Sequence, residues 1–234
     1  MSANPDRSRT VPTYRAEQVR AAEAPLLNAG APLMRRAASA LARIVGERLG
    51  DGERILVIAG SGDNGGDALF AAALLAERAE VSVLRVSDRV HPEAFSAAES
   101  AGARVVDLAE ARASAPGIVI DGIIGLGASA DPALRGRARA AVEALLPRLR
   151  DEGTRVIAVD LPSGLHPDTG AADDVVLPAA LTVTFGAVKH GLAAARGPEL
   201  AGEIVLVRIG LDDQLAGVRP EGQATVSAVI EVGG

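Results

Sequence analysis

The chain has no cysteine, no tryptophan, one tyrosine and three phenylalanines among its 234 residues. The missing cysteine excludes disulfides, thiolate catalysis and cysteine-bound zinc. The scarcity of aromatics leaves the core to Ala, Val, Leu and Ile. The three histidines, His91, His166 and His190, stand apart with no pair at metal-binding spacing. A histidine-rich metal centre is therefore not expected, and a catalytic triad would need His166 or His190 as its base. The net charge is −6 and the arginines are scattered, with no basic stripe for nucleic acid. No apolar run reaches membrane-spanning length. Residues Met1–Thr13 are polar, carry Pro and Arg, and lack the apolar core of a secretory signal. They read as a flexible leader, and a cytoplasmic location is the default expectation. The length suits one large α/β domain, or such a domain with a helical extension.

What is present centres on Ile55–Phe70. Ile55–Ala59 is wholly apolar without alternation, as in a strand buried on both faces of a parallel sheet. Gly60, Gly62, Gly65 and Gly66 follow, and Ala68–Ala76 reads as a buried helix. Strand, glycine turn and helix start make an anion-binding arrangement, because glycine admits close backbone approach and the helix N–H groups point outward. Gly60, Gly62 and Gly65 also fit a dinucleotide fingerprint, which alone is weak. Asp63 and Asp67 do not suit a phosphate unless a cation or a sugar hydroxyl lies between.

Upstream, Arg15–Asn28 reads as an amphipathic helix that Pro25 ends or kinks. Leu33 to Gly50 repeats apolar residues at helical spacing. Downstream, strands are expected at Val81–Val86, Ala103–Val106, Ile118–Ile124, Val156–Val159, Leu181–Phe185 and Ile204–Arg208. Helices are expected over Pro92–Ala101 and over Leu134–Leu149, the latter disturbed by Pro147. Residues 212–234 read as a polar tail with one possible strand, Val226–Val232. This alternation gives an α/β fold with a mostly parallel sheet and an N-terminal helical pair.

Ligands of open parallel sheets bind beyond the carboxyl ends of the strands. Three predicted strands end in polar, glycine-rich turns: one brings Asp63, Asn64 and Asp67, another Asp121 and the Gly125 loop, the third Asp160 and Ser163. Carboxylates with neutral oxygens and no His or Cys suit a hard cation: potassium, sodium, magnesium or calcium.

These residues also carry a resemblance. Asp63-Asn-Gly-Gly-Asp67, Asp121 with Gly125-Leu-Gly127, Val159-Asp-Leu-Pro-Ser-Gly-Leu165 with Asp168-Thr-Gly170, and Thr182-Val-Thr-Phe-Gly186 followed by Lys189 and Gly191-Leu192 look like the YjeF N-terminal domain of the NAD(P)H-hydrate epimerases. The match runs from about Tyr14 to Leu211, taken as the epimerase domain. It implies a Rossmann-like three-layer α/β/α sandwich, a homodimer, one potassium ion per subunit and no organic cofactor. Carried over by position, Asn64, Asp121 and Ser163 match the potassium ligands. Asp63, Asn64, Gly65, Gly66, Asp67, the loop Gly125, Leu126, Gly127, Ala128, Ser129, Ala130 and Asp131, and Asp160 match the substrate contacts. Asp63 stands where the family usually has Asn, Val188-Lys-His-Gly191 replaces a usual Pro-Lys-Pro-Gly, and Arg208-Ile-Gly210 replaces Asp-Ile-Gly. Many relatives add an ATP- or ADP-dependent dehydratase domain, which nothing in this chain resembles. The implied protein is thus a stand-alone epimerase, or a separated half whose dehydratase partner is a different chain.

The resemblance implies interconversion of the R and S epimers of NADHX and NADPHX, nicotinamide nucleotides hydrated at C6 of the ring. Loss and return of the hydroxyl needs a proton donor and acceptor, and Asp160, at a strand end, is the candidate. Its acid form would need support, which Asp121 offers and the cation opposes. Lys189 reads as a phosphate contact or a solvated surface lysine, and His166 and His190 as loop residues. The alternatives are a non-catalytic nucleotide-binding or interaction module, and a dehydrogenase. The latter usually wants a Tyr, Lys or His acid, and Tyr14 precedes the fold.

Overall fold

The computed structural model describes residues 8–125, 131–151 and 153–232. The chain enters as strand β1 (Arg9–Tyr14), followed by helices α1 (Ala16–Asn28) and α2 (Leu33–Gly46). Strand β2 (Ile55–Ala59) turns through Gly60–Gly62 into α3 (Asp63–Leu75). Next come β3 (Val81–Arg85), α4 (Pro92–Ser100), β4 (Arg104–Val106), α5 (Leu108–Ala113), β5 (Ile118–Gly122), α6 (Gly136–Asp151) and β6 (Arg155–Val159). A long irregular stretch reaches β7 (Leu181–Phe185). The chain then forms β8 (Val188–Lys189), α7 (Gly197–Leu200), β9 (Glu203–Arg208), α8 (Asp212–Leu215), β10 (Gly222–Val226) and β11 (Ala228–Glu231).

Eight strands form one sheet in the order β11-β9-β7-β6-β5-β2-β3-β4, every pair parallel. The chain runs outward from β2 in one direction through β3 and β4, then returns to β5 and runs outward in the other. The order therefore reverses between β2 and β5, where ligands of such sheets bind. Strand residues alternate between two cores. Ile55, Val57, Ile120 and Ile157 pack with α2, α3 and α4 on one face. Leu56, Ile58, Val119 and Val156 pack with α5 and α6 on the other. This is the expected three-layer α/β/α fold with its mostly parallel sheet, and it explains why the central strands lack alternation.

Small residues set the separation of the layers. A Cβ on Gly66 would lie 2.9 Å from Met34 Sδ on α2, and one on Gly65 would lie 2.3 Å from the Gly60 carbonyl oxygen. Gly65 thus lets the first turn of α3 fold back against the end of β2.

Several local expectations change. Helix α3 starts at Asp63 rather than Ala68, so Asp63 and Asn64 occupy its first turn. Pro25 does not end α1, which continues to Asn28. The proline lies in the last turn, so its ring and missing N–H disturb little helix beyond it. The leader is a strand from Arg9 onward, pairing antiparallel with β10 and parallel with β8. Pro12 hid this strand, since proline suits only a lightly paired position; β8 meets β1 only at Thr13 and Tyr14. The tail supplies α8 and two strands, with β10 in the small sheet and β11 at the edge of the large one. Helix α5 was not foreseen; Asp107 caps it, accepting the Glu110 N–H at 2.8 Å.

Gly65→Ala should lower unfolding free energy by about 1–3 kcal/mol through overpacking against the Gly60 carbonyl. Urea denaturation checks this, and an unchanged midpoint would contradict it.

Candidate active site at the sheet switch point

Strands β6, β5 and β2 are neighbours, so their carboxyl ends open side by side, as the three polar turns required. Asp121, in β5, is 0% exposed. Its Oδ1 accepts Ser163 Oγ–H at 2.6 Å and the Ile123 N–H at 3.3 Å, while Oδ2 accepts the Ser163 N–H at 2.8 Å. Burial pushes the Asp121 carboxyl up, and the bonds from Ser163 and Ile123 oppose it. Ser163 Oγ also accepts the Ile124 N–H at 2.9 Å. The amide of Asn64 donates to the carbonyls of Val159 and Ile124. Asn64, Asp121 and Ser163 therefore meet around the Ile123–Gly125 turn. A Cβ on Gly125 would lie 2.3 Å from Asn64 Oδ1, so glycine keeps this approach open.

A cavity of about 550 Å³ opens beside these groups. Arg20, Glu23 and Leu27 of α1 and Leu33, Met34 and Ala37 of α2 form one side. The other side holds Ser61, Asp63, Asn64 and Asp67 after β2, Ile123–Gly125 after β5, and Asp160, Phe185 and Lys189. Its size is that of an ordinary small-molecule site. Asp63 is exposed at the start of α3, where the helix dipole favours a negative charge. Gly65 and Gly66 are buried in packing against Gly60 and Met34. Asp131 is exposed, accepts the Ala133 N–H at 3.0 Å and pairs with Arg135 at 2.7 Å. Leu126, Gly127, Ala128, Ser129 and Ala130 lie outside the described residues.

Asp160 follows β6 with φ +70°, a left-handed conformation uncommon for a residue with a side chain. It is 4% exposed, and Lys189 beside it is 1% exposed. Lys189 Nζ donates to Asp160 Oδ1, and also to the Phe185 carbonyl at 2.9 Å. Thr184 Oγ1 and the Phe185 N–H reach the same Asp160 oxygen at 3.1 and 3.2 Å. Oδ1 is thus fully engaged, and Oδ2 takes no hydrogen bond among the described residues. Lys189 is therefore not a solvated surface lysine: it is buried and paired with a carboxylate. Its position on β8 depends on β1, a pairing that local sequence does not advertise.

Two further carboxyls face the cavity. Burial raises the Glu23 carboxyl, with Asp160 and Asp63 adding and Lys189 and Arg20 opposing. Asp67 is 7% exposed and its Oδ1 has no hydrogen-bond partner among the described residues. Burial first, then Asp160, Asp63 and Glu23, hold its carboxyl well above the usual range against the pull of Lys189. The remaining histidines have structural partners. His190 Nδ1 lies 3.0 Å from Thr13 Oγ1, and His166 Nδ1 accepts the Asp168 N–H at 3.1 Å.

Among the described residues, no group of three or more His, Cys, Asp or Glu is placed to hold a metal. The oxygen set at Asn64, Asp121 and Ser163 has one carboxylate and two neutral donors, which fits a hard cation of low charge. No helix among the described residues is long and apolar enough to cross a membrane.

Residues 30–191 match the family model described as YjeF-related protein N-terminus. The chain is 54% identical over 225 residues to an NAD(P)H-hydrate epimerase of Microbacterium testaceum (strain StLB037), covering 94% of this chain and 87% of that one. It is 49% identical over 219 residues to an NAD(P)H-hydrate epimerase of Clavibacter michiganensis subsp. michiganensis (strain NCPPB 382), covering 88% and 93%. A bifunctional NAD(P)H-hydrate repair enzyme, Nnr, of Mycobacterium tuberculosis (strain CDC 1551 / Oshkosh) is 42% identical over 212 residues, covering 85% of this chain and 41% of its own length. The crystal structure of yeast ynu0, YNL200c, shares the fold, with TM-score 0.69 and 20% identity over 78% of this chain and 84% of that chain.

Lys189→Met should cost about 3–5 kcal/mol by stranding the buried Asp160 charge. The double variant Lys189→Met/Asp160→Asn should recover most of that loss in denaturant melts. Additive losses would contradict a coupled pair.

Proposed function

The chain belongs to the YjeF-related N-terminal family, and on that footing we propose that it is an NAD(P)H-hydrate epimerase, interconverting the R and S epimers of hydrated NADH and NADPH. The near-full-length identity to two proteins of that name carries the reading. The site supports it: Asp63, Asn64, Asp67, Gly125 and Asp160 all line one cavity at the sheet switch point.

The chemistry asks little of the protein. The ring nitrogen can expel the C6 hydroxyl once that oxygen is protonated, giving a planar iminium and a water molecule. Return of water to the opposite face gives the other epimer. The cavity holds the ring, Leu33 and Met34 supply an apolar wall, and the carboxyl groups exchange the protons. Asp160 is the group that exchanges a proton with the reacting water through Oδ2, its Oδ1 being fixed by Lys189, Thr184 and Phe185. Asn64, Asp121 and Ser163 are the proposed holders of a potassium ion, whose fixed positive charge would brace these strand ends. The substrate contacts of the reading are Asp63–Asp67, the 125–131 loop and Asp160.

Residues 14–211 are read as the epimerase unit. The segment from 212 belongs to the same body, since β10 and β11 complete both sheets. A homodimer is part of the reading by family likeness. So is a dehydratase working in sequence with the chain, which the bifunctional M. tuberculosis relative supports. A non-catalytic nucleotide-binding or interaction module is the alternative; the joint presence of Asn64, Asp121, Asp160 and Ser163 favours activity.

Asp160→Asn should abolish acceleration of the R-to-S conversion, followed with a dehydratase that consumes one epimer, while nucleotide binding survives. Full activity in that variant would refute the assignment. Exchanging potassium for a larger organic cation should slow or destabilise the protein, and indifference would refute the cation site.

A further inference from the structure

One buried polar group, read so far only as a substrate contact, has no partner that accounts for its burial among the described residues. Asp67 lies on α3 one turn beyond Asn64 and lines the cavity, yet its Oδ1 meets no donor among the described residues. A buried carboxylate without a donor is costly, whereas a neutral carboxylic acid is tolerated far better. The nearest buried cation, Lys189, is committed to Asp160, Phe185 and Thr184.

The surroundings all act in one direction. Glu23 faces the cavity from α1, Asp63 from the same helix and Asp160 from the end of β6. Each repels a charge on Asp67, and Lys189 only partly offsets them. Arg20 of α1 is the other basic residue in the cavity wall. From α2, the Arg35 guanidinium lies 3.7 Å over the Phe70 ring centroid. From α4, His91 stacks edge-on to the same ring and accepts the Ala94 N–H through Nδ1. From β5, Asp121 is bonded to Ser163.

We propose that Asp67 is the resident acid of the epimerase site, delivering the proton to the departing ring hydroxyl while Asp160 accepts one from the returning water. This deepens the epimerase reading and rests on it. In the forward direction the Asp67 O–H proton passes to the hydroxyl oxygen. The carbon–oxygen bond breaks with its electron pair on oxygen, and the nitrogen lone pair forms the iminium. Water then adds at the same carbon, its oxygen forming the new bond, the iminium pair returning to nitrogen, and its proton passing to Asp160 Oδ2. The site is left with Asp67 ionised and Asp160 protonated, which is the state that runs the opposite epimer in reverse. Proton transfer through cavity water resets it. One neutral and one ionised carboxyl thus serve both directions, which a lone carboxylate does not.

The test compares wild type and Asp67→Asn in potassium buffer. Asp67→Asn should lower kcat about 100-fold or more, the usual scale of acid catalysis, with KM nearly unchanged. A substrate hydroxyl contact would instead raise KM and spare kcat, and that outcome overturns the proposal. Stability is a readout separate from turnover. The folded protein keeps Asp67 neutral, while the unfolded chain ionises it above about pH 4. Stability from this group is therefore full below that pH and lost as pH rises toward the folded value. Asp67→Asn lacks that loss, so its melting temperature should exceed that of wild type near pH 8, the gap closing toward about pH 4. A gap independent of pH overturns the proposal. Carboxyl-carbon NMR of isotope-labelled wild type reads Asp67 directly without any variant: protonation persisting at about pH 6 supports it, and ionisation by about pH 5 overturns it. If wild type does not accelerate epimerisation at all, the epimerase reading fails, while the stability and NMR results still report on the Asp67 proton.

Discussion

The site depends on one buried charge pair, Asp160 with Lys189. Each partner is almost fully removed from water, and each is tolerable only because the other is there. The pair ties together distant parts of the chain. Asp160 follows β6 in a left-handed backbone conformation, and Lys189 sits on β8, which is held by β1. Thr184 and the Phe185 backbone complete the cradle from β7. The result is a carboxylate with one oxygen anchored and the other available at a cavity wall.

Around this anchor, the sheet topology does the rest. Reversal of strand order between β2 and β5 opens a crevice, and the turns after β2, β5 and β6 all empty into it. Glycines at the turn keep the walls close. The cavity wall holds more carboxyl groups than basic side chains, and burial pushes the Glu23 and Asp67 carboxyls up. That is a fitting environment for chemistry that amounts to moving protons and water at one ring carbon.

Much of this was legible in the sequence. The apolar run Ile55–Ala59 and its glycine turn marked the central strand, because burial on both faces removes alternation. Asp63, Asn64, Asp121, Asp160 and Ser163 were legible as strand-end residues, and parallel topology alone brings such ends together. The environment of Lys189 was not legible. Its burial depends on partners from Asp160 and on β1, at sequence separations where local pattern carries no information. The leader strand was hidden for the same reason: its partner β10 lies at the other end of the chain, and Pro12 speaks locally against a strand. Asp67 was visible as a site residue, but the lack of a donor to its Oδ1 among the described residues is a property of three-dimensional packing that composition does not reveal.

The central claim is that the protein epimerises hydrated nicotinamide nucleotides by loss and return of water at the ring. The most direct measurement incubates one purified epimer with the protein in heavy-oxygen water and follows epimer ratio and isotope content together. The claim predicts accelerated conversion with the solvent oxygen entering the ring hydroxyl as the epimer changes. Conversion without solvent oxygen, or no acceleration over the protein-free solution, would contradict it.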